Sequence, residues 1–307
     1  LGSSGWPREE IFHKEKAVLG DYTIDLLKGM ANPEQDIAQL SHITKSKDGT
    51  TKLLLKLRDN LEVETVIIPW PDRKRSTLCI SSQVGCRQGC TFCATGRMGI
   101  IRSLTTEEIL TQVYFANKIC RIGEIYPIDN IVFMGMGEPA DNACEVVKAA
   151  KTLVDRNMFG LTGRRVTIST VGPNPDCFSE LAEAPVTLAW SVHATRQKVR
   201  KALVPTTKHS MQDLRDGLLK AIHGRSRRLK SVMLEIALLN GQNDSYEDAM
   251  DLVEFCQPIQ QQASKLIVNL IPWNDINATS GAASSYQKPT FENVIKFQNI
   301  LRHHGIR

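Results

Sequence analysis

Gly85-Cys-Arg-Gln-Gly-Cys-Thr-Phe-Cys-Ala-Thr-Gly-Arg-Met-Gly99 puts three thiols, Cys86, Cys90 and Cys93, on one short loop with Cys-x3-Cys-x2-Cys spacing. A cubane iron-sulfur cluster has four irons to ligate, so three cysteines leave one iron open. A structural zinc site closes all its positions with protein donors, and an electron-transfer cluster normally takes four cysteines. The spacing therefore predicts a cluster that binds something at its fourth iron. The competing reading is a zinc site completed by a fourth ligand such as Cys79, upstream of the loop.

The loop follows a strand-like run at 77–81, and strand and helix patterns alternate from there on. Further strands are predicted over 130–134, 165–170, 186–192, 231–238 and 266–271. Each is short, apolar and rich in Val, Ile or Leu, as in parallel strands covered on both faces. Thr105-x-x-Glu108 is a capping box opening a helix with Ile109, Val113 and Ala116 on one face. The segments 142–156, 210–223, 245–255 and 289–304 read as further helices. Six βα units predict an α/β fold, a partial (β/α)6 TIM-like barrel, with a small N-terminal α/β extension.

In such folds the reactive groups sit at the carboxyl ends of the strands. The cysteine loop follows the first predicted strand and Gly135-Met-Gly-Glu-Pro139 the second. Ser169 lies near the end of the third, Ser191-Val192-His193 ends the fourth, and Asn274 follows the sixth. Candidate polar groups thus converge on one face. Singly each has a plainer reading. A Ser or Asn at a strand end commonly caps a helix, a Glu beside a turn such as Glu138 commonly faces water, and His193 is more often a satisfied core histidine than a ligand.

With 307 residues and 42% apolar side chains the chain can bury a sizeable core. No stretch approaches the ~18 apolar residues of a membrane helix, which predicts no membrane partner. Eight cysteines in a chain this long are no disulfide framework and point to a reducing compartment. The net charge of +5 hides an asymmetry: residues 196–230 carry eleven Lys or Arg against two Asp, a local +9. Such a block is a solvated helical face or a phosphate-binding surface for nucleic acid, densest at Arg225-Ser-Arg-Arg-Leu-Lys230. Residues 8–40 are mostly helical in pattern, and Asp48-Gly49 separates Ile43 from the β-prone runs 52–57 and 62–68. This predicts a helical piece leading into a hairpin, an accessory region over 1–70, and a core domain over 71–307. The chain begins at Leu1 rather than Met, so an incomplete N-terminus is expected; the predicted location is cytoplasmic, with an organelle as the alternative.

Set in order, five segments closely resemble the RlmN/Cfr family of radical S-adenosylmethionine (SAM) methyltransferases. They are Thr77-Leu-Cys-Ile-Ser-Ser-Gln-Val-Gly-Cys86, Gly135-Met-Gly-Glu-Pro139, Arg165-Val-Thr-Ile-Ser-Thr170, Ser191-Val-His-Ala194 and Asn269-Leu-Ile-Pro-Trp-Asn274. The resemblance implies a barrel of the radical SAM type with a 4Fe-4S cluster on Cys86, Cys90 and Cys93. It implies that SAM chelates the open iron, where an electron from the cluster cleaves the sulfonium to give a 5′-deoxyadenosyl radical. It implies an electron donor such as a flavodoxin or ferredoxin, and a monomer that methylates an adenine of large-subunit (23S-type) ribosomal RNA and, in some members, transfer RNA. RlmN-type members attack carbon 2 and Cfr-type members carbon 8; carbon 2 is expected here because RlmN-type members are the commoner. Matched residue by residue, Gly137, Glu138, Ser169, Ser191, Val192, His193 and Asn274 would contact SAM. Glu64 would be the general base that removes the adenine proton, and Cys79 would resolve a covalent protein-RNA intermediate. Cys120, Cys144, Cys177 and Cys256 are assigned no role.

The family mechanism uses one further cysteine, the methyl carrier, in a Gly-rich C-terminal segment of Ala-Cys-Gly-Gln type. The chain stops at Arg307, about where that segment should start. The expectation is a fragment of an active enzyme that binds cluster and SAM without methylating RNA, with a divergent inactive paralogue as the other reading. Trp190-Ser-Val-His-Ala-Thr195 and Thr170-Val-Gly172 stand where the family has Leu-Ser-Leu-His-Ala-Pro and Thr-Ser-Gly, and neither change removes a chemical group. The competing functions are a radical SAM enzyme acting on a small molecule or peptide, and a non-catalytic zinc-stabilised RNA-binding module.

Overall fold

The structure, a computed structural model, describes residues 37–306. Strands β1 (Ala38–Lys45), β2 (Thr51–Leu57) and β3 (Glu62–Trp70) run antiparallel. Gly49 at φ +87° and Asn60 at φ +66° supply the left-handed residues of the two turns. Asp48 and Asp59 accept the backbone N–H two residues on, from Thr50 at 3.0 Å and Leu61 at 3.1 Å. The expected hairpin is thus a three-stranded meander. Most of the helical pattern at 8–40 lies outside the described residues, but its end is corrected: Ala38, Gln39 and Leu40 are strand, paired with Leu57, Lys56 and Leu55. Sheet pairing there overrides local propensity.

β3 pairs antiparallel with β4 (Arg75–Cys79), so the sheet crosses residue 70 unbroken. β5 (Gln83–Cys86) and β6 (Gly99–Ser103) form a separate hairpin that brackets the cysteine loop. There follow α1 (Thr106–Ile122), β7 (Ile128–Phe133), α2 (Ala143–Val154), β8 (Val166–Thr170), α3 (Cys177–Leu181), β9 (Thr187–Ser191) and α4 (Gln197–Leu203). The chain then continues through α5 (Met211–His223), β10 (Ser231–Leu238), α6 (Tyr246–Gln262), β11 (Lys265–Pro272) and α7 (Phe291–His303). β4, β7, β8, β9, β10 and β11 are parallel neighbours in that order, in a nine-stranded sheet that runs from β1 to β11 without closing. They are the six strands expected.

Boundaries moved where side chains intervene. The first parallel strand ends at Cys79 rather than Ser81 because one side chain takes the Ser81 peptide on both sides. Its N–H donates to Gln112 Oε1 and its carbonyl accepts from Gln112 Nε2, each at 2.8 Å. α6 runs on past Phe255 through Pro258. α3, α4 and the β5–β6 hairpin are too short to carry a period in the sequence.

Side chains alternate across the sheet. In β10, Val232, Leu234, Ile236 and Leu238 pack under α5 and α6 with Leu214, Leu218, Leu252 and Cys256, which leaves Ser231, Met233 and Glu235 on the concave face. A second core joins Ile109, Val113 and Ala116 of α1 and Val146 and Ala150 of α2 to the outer rows of β2, β3, β4, β7 and β8. A third, smaller one, including Cys90, Val171, Leu203, Ala237 and Trp273, caps the carboxyl ends of the strands and forms the floor of the cysteine loop.

Candidate active site

The cysteine loop is pinned from several directions. Gly85, at φ +76°, lies so close to β6 that a Cβ would meet the Gly99 carbonyl oxygen at 2.0 Å, so only glycine lets β5 deliver Cys86 here. The Cys93 N–H donates to the Cys90 carbonyl at 3.1 Å, closing the turn between the second and third thiols. Across the barrel mouth, the Thr91 N–H donates to the Leu203 carbonyl and Trp273 Nε1 to the Phe92 carbonyl, each at 2.9 Å. Gln88 Nε2 donates to Asp141 Oδ2 at 2.7 Å. Burial pushes the Cys86 and Cys90 thiols up to about 12, and repulsion from Cys93 adds to both. A bound cation would favour the thiolates of both.

Gly135 and Gly137 lay the loop after β7 against the chain after β4. A Cβ on Gly135 would fall 2.8 Å from the Ile80 carbonyl, and one on Gly137, at φ +99°, 2.7 Å from Gln83 N. The Met136 N–H donates to Ser81 Oγ and the Glu138 N–H to Gln83 Oε1, each at 2.9 Å. Glu138 is no surface acid: it is 3% exposed, and its carboxylate accepts from Ala140 N at 2.9 Å, Val171 N at 3.0 Å and Thr170 Oγ1 at 2.5 Å. Burial nonetheless raises its pKa from 4.5 to about 7. In that window the folded chain holds a proton that the unfolded chain has released. This carboxyl therefore contributes its full stability below pH 4.5 and loses it as the pH climbs through about 7. Urea midpoints measured across the window should fall with rising pH, and Glu138→Gln should flatten the fall; parallel curves would show that another group titrates.

Ser169 and Ser191, expected from separate strands, meet with their Oγ atoms 3.1 Å apart. Against them lies a residue that sequence reasoning missed. Glu235 of β10 is buried and accepts from Ser169 Oγ at 3.4 Å and from Ser191 Oγ and Asn269 Nδ2 at 3.5 Å. Burial raises its pKa. Its one sequence signal is a lone acid in the apolar run Ser231–Leu238. Cys79 shares this face: burial pushes its thiol up to about 12, and the charges of Glu235 and Glu64 add to the shift. Glu64 is half-exposed and pairs with Lys52 of β2 at 3.2 Å, while its carbonyl accepts from Ser81 Oγ at 2.6 Å.

His193 is buried and partnered within the fold. At φ +56° and 7% exposed, it turns the chain out of β9. Its Nδ1 accepts the Ala237 N–H at 3.1 Å, its carbonyl accepts from Asn243 Nδ2 at 2.6 Å, and its ring stands edge-on to Phe92 at 4.6 Å. Burial keeps the imidazole neutral, its pKa well below 6.5. The buried Val192 lends its carbonyl to Arg200 at 2.8 Å. Arg200 itself, counted in the basic block, is 0% exposed and also donates to the Ser191 carbonyl at 2.7 Å and to the Val171 carbonyl. Burial lowers its pKa to about 10, so it stays charged at neutral pH, and that charge acts on Cys90. Asn274, past β11, is exposed at the rim, its Oδ1 accepting from Lys288 Nζ at 3.1 Å.

The model of the Radical SAM superfamily matches residues 80–253. The "Dual-specificity RNA methyltransferase RlmN" of Ruthia magnifica subsp. Calyptogena magnifica is 40% identical over 261 residues, covering 85% of this chain and 69% of that protein. This chain belongs to the RlmN family of radical SAM methyltransferases. A relative from Nitrosopumilus maritimus, named "Ribosomal RNA large subunit methyltransferase N", is 40% identical over 86% of the chain and 74% of its own length. The crystal structure of a radical SAM methyltransferase from Sphaerobacter thermophilus superimposes with a TM-score of 0.77 at 34% identity, over 88% of this chain and 75% of that one. The open parallel barrel is the radical SAM fold, and a 4Fe-4S cluster and SAM are the cofactors of the RlmN family.

The donor set fits them. Cys86, Cys90 and Cys93 come from one short loop, and in a cubane each thiolate takes its own iron. Gly137→Ala is expected to cost about 1–3 kcal/mol, since it forces alanine into a left-handed conformation against backbone. Urea unfolding reads that loss and equilibrium dialysis the accompanying loss of SAM; unchanged SAM affinity would remove this loop from the SAM site.

Proposed function

We propose that this chain binds the cluster and SAM in an enzyme that transfers a methyl group from SAM to carbon 2 of an adenine in large-subunit ribosomal RNA, and to transfer RNA as well. The reading is carried by one observation: the thiol loop, the Gly135 to Glu138 turn, the Ser169–Ser191–Glu235 network and Cys79 with Glu64 all belong to the carboxyl-end half of one concave face. In it, Cys86, Cys90 and Cys93 hold the cluster, and Gly137, Glu138, Ser169, Ser191, Val192, His193 and Asn274 bind SAM. When bound, cluster and SAM supply one-electron chemistry able to activate an unreactive C–H bond.

The protein supplies the rest. A carboxylate has about four lone-pair sites; the chain occupies three on Glu138, which leaves one for the SAM ammonium. Glu64 offers its carboxylate to the adenine proton, steadied by Lys52. The Cys79 thiol, pushed up to about 12, needs a proton acceptor before it can act as a nucleophile, and Glu235 and Glu64 are the carboxylates whose charge reaches it. A flavodoxin or ferredoxin supplies electrons, and residues 1–70 assist the core domain at 71–307.

Nucleoside mass spectrometry of ribosomal and transfer RNA tests the proposal in cells lacking the gene for this chain. 2-Methyladenosine should disappear with 8-methyladenosine unchanged. The opposite pattern would make it a carbon-8 enzyme, and no change in either would discard the RNA reading. In complemented cells Glu64→Gln should slow methylation by about 10²–10⁴-fold, the usual worth of a general base.

A further inference from the structure

The concave face has a second end. At the amino ends of the parallel strands lies a cavity of about 630 Å³, its wall including Asn130, Thr167, Thr187 and Ser231 with Met233 and Ile267. Four cations line it as well: Arg164 just before β8, Arg227 and Arg228 just before β10, and Lys265 at the start of β11. The cysteine loop and the SAM-site loops follow the opposite ends of these strands.

Among the described residues no carboxylate lines this cavity. Asp129, next to Asn130, is already held by Arg75 and Arg165, each at 3.3 Å. Among the described residues none of the four cations is paired with an acid, so they repel one another around one space. Three other arginines of the basic block are engaged elsewhere. Arg196 pairs with Asp248, Arg200 is interior, and Arg225 donates to the carbonyls of Ala184 at 2.8 Å and Val186 at 2.6 Å. That anchor ties the 225–230 turn to the start of β9 and so positions Arg227 and Arg228.

We propose that this basic cavity is a second ligand site, taking a nucleoside phosphate at the end of the barrel opposite the cluster. Three of its four cations are arginines, whose planar forks suit phosphate oxygens. The hydroxyls of Thr167, Thr187 and Ser231 and the Asn130 amide suit a sugar and the polar edge of a base, and Met233 and Ile267 give the base an apolar wall. The volume falls in the usual ligand range, about 300–1,000 Å³. The same chemistry comes from a free nucleotide or from one nucleotide of an RNA strand.

Calorimetry with adenosine 5′-monophosphate and fluorescence anisotropy with a short single-stranded RNA, both on cluster-loaded protein, provide the test. The variants are the Arg227→Ala/Arg228→Ala pair and Lys265→Ala. The control, the Lys198→Ala/Lys201→Ala pair, removes equal charge from exposed positions on α4. Cavity variants should weaken binding about tenfold or more per arginine, and lower the salt slope for RNA by about one per lost phosphate contact. Loss of monophosphate binding with the control intact identifies a free nucleotide; a loss seen only with RNA identifies the strand. If neither probe binds, or the control weakens binding equally, the cavity is ordinary surface charge and the proposal fails.

Discussion

Cys90→Ala is expected to abolish the cluster while leaving the fold intact. Structural metal sites hold their ion by roughly 10–16 kcal/mol over four ligands. A share of roughly 3–4 kcal/mol per thiolate makes the loss about 10²–10³-fold in affinity. Cys90 is the most enclosed of the three thiols, on the apolar floor with Val171 and Leu203, so alanine fills its place without exposing polar atoms. Iron and acid-labile sulfide per chain, after anaerobic reconstitution, should collapse, and reductive cleavage of SAM should go with them. Cys256→Ala is the control: that thiol is buried within α6, among Phe255 and Ile259. Full iron content in Cys90→Ala, or an equal loss in Cys256→Ala, would overturn the ligand assignment.

Arg200→Met should be the most damaging substitution outside the cysteines. It removes one guanidinium from three buried carbonyls, those of Val171, Ser191 and Val192, which end strands β8 and β9 or directly follow them. The Val171 and Val192 carbonyls keep second donors, Trp190 Nε1 at 3.1 Å and the Ala194 N–H at 2.6 Å, so the loss expected in denaturant unfolding is that of hydrogen bonds to a charged group, about 1.5–3 kcal/mol. Arg200→Lys keeps the charge but not the fork, and should fall between the two. The charge has its own readout: Arg200 is the cation that acts on Cys90, and a positive charge beside a cluster favours its reduced state. The reduction potential should drop in the methionine variant and be largely restored by lysine. A stability loss under about 1 kcal/mol would mean that the guanidinium does not hold these strand ends.

Much of the architecture was legible because it rests on local pattern. The six parallel strands announced themselves as apolar, branched runs, and the capping box at Thr105 marks a real helix start. The cysteine loop was legible from spacing alone. Short elements were not, since five residues of α3 or seven of α4 hold too few turns for a period to emerge. Glu235 was passed over because one acid in a strand reads as a side chain facing water. It faces the interior of an open barrel instead, where Ser169 and Ser191 receive it. Arg200 was counted as surface charge because composition records a charge and not its depth.

By itself the sequence determined the donor chemistry, the order of the βα units and the family, since thiol spacing, hydrophobic periodicity and motif order are all local properties of the chain. Only the tertiary structure decided which charged and polar groups are already committed and which are free to meet a ligand. Glu138 is bound by Thr170 and Val171, Arg200 by Val171, and Glu235 by Ser169 and Asn269. Arg227 and Arg228 line a cavity that no carboxylate of the described residues shares. These partners lie tens of residues apart, and the value of a charge depends on its burial and on the groups around it, both of which come into being only when the strands close into a sheet.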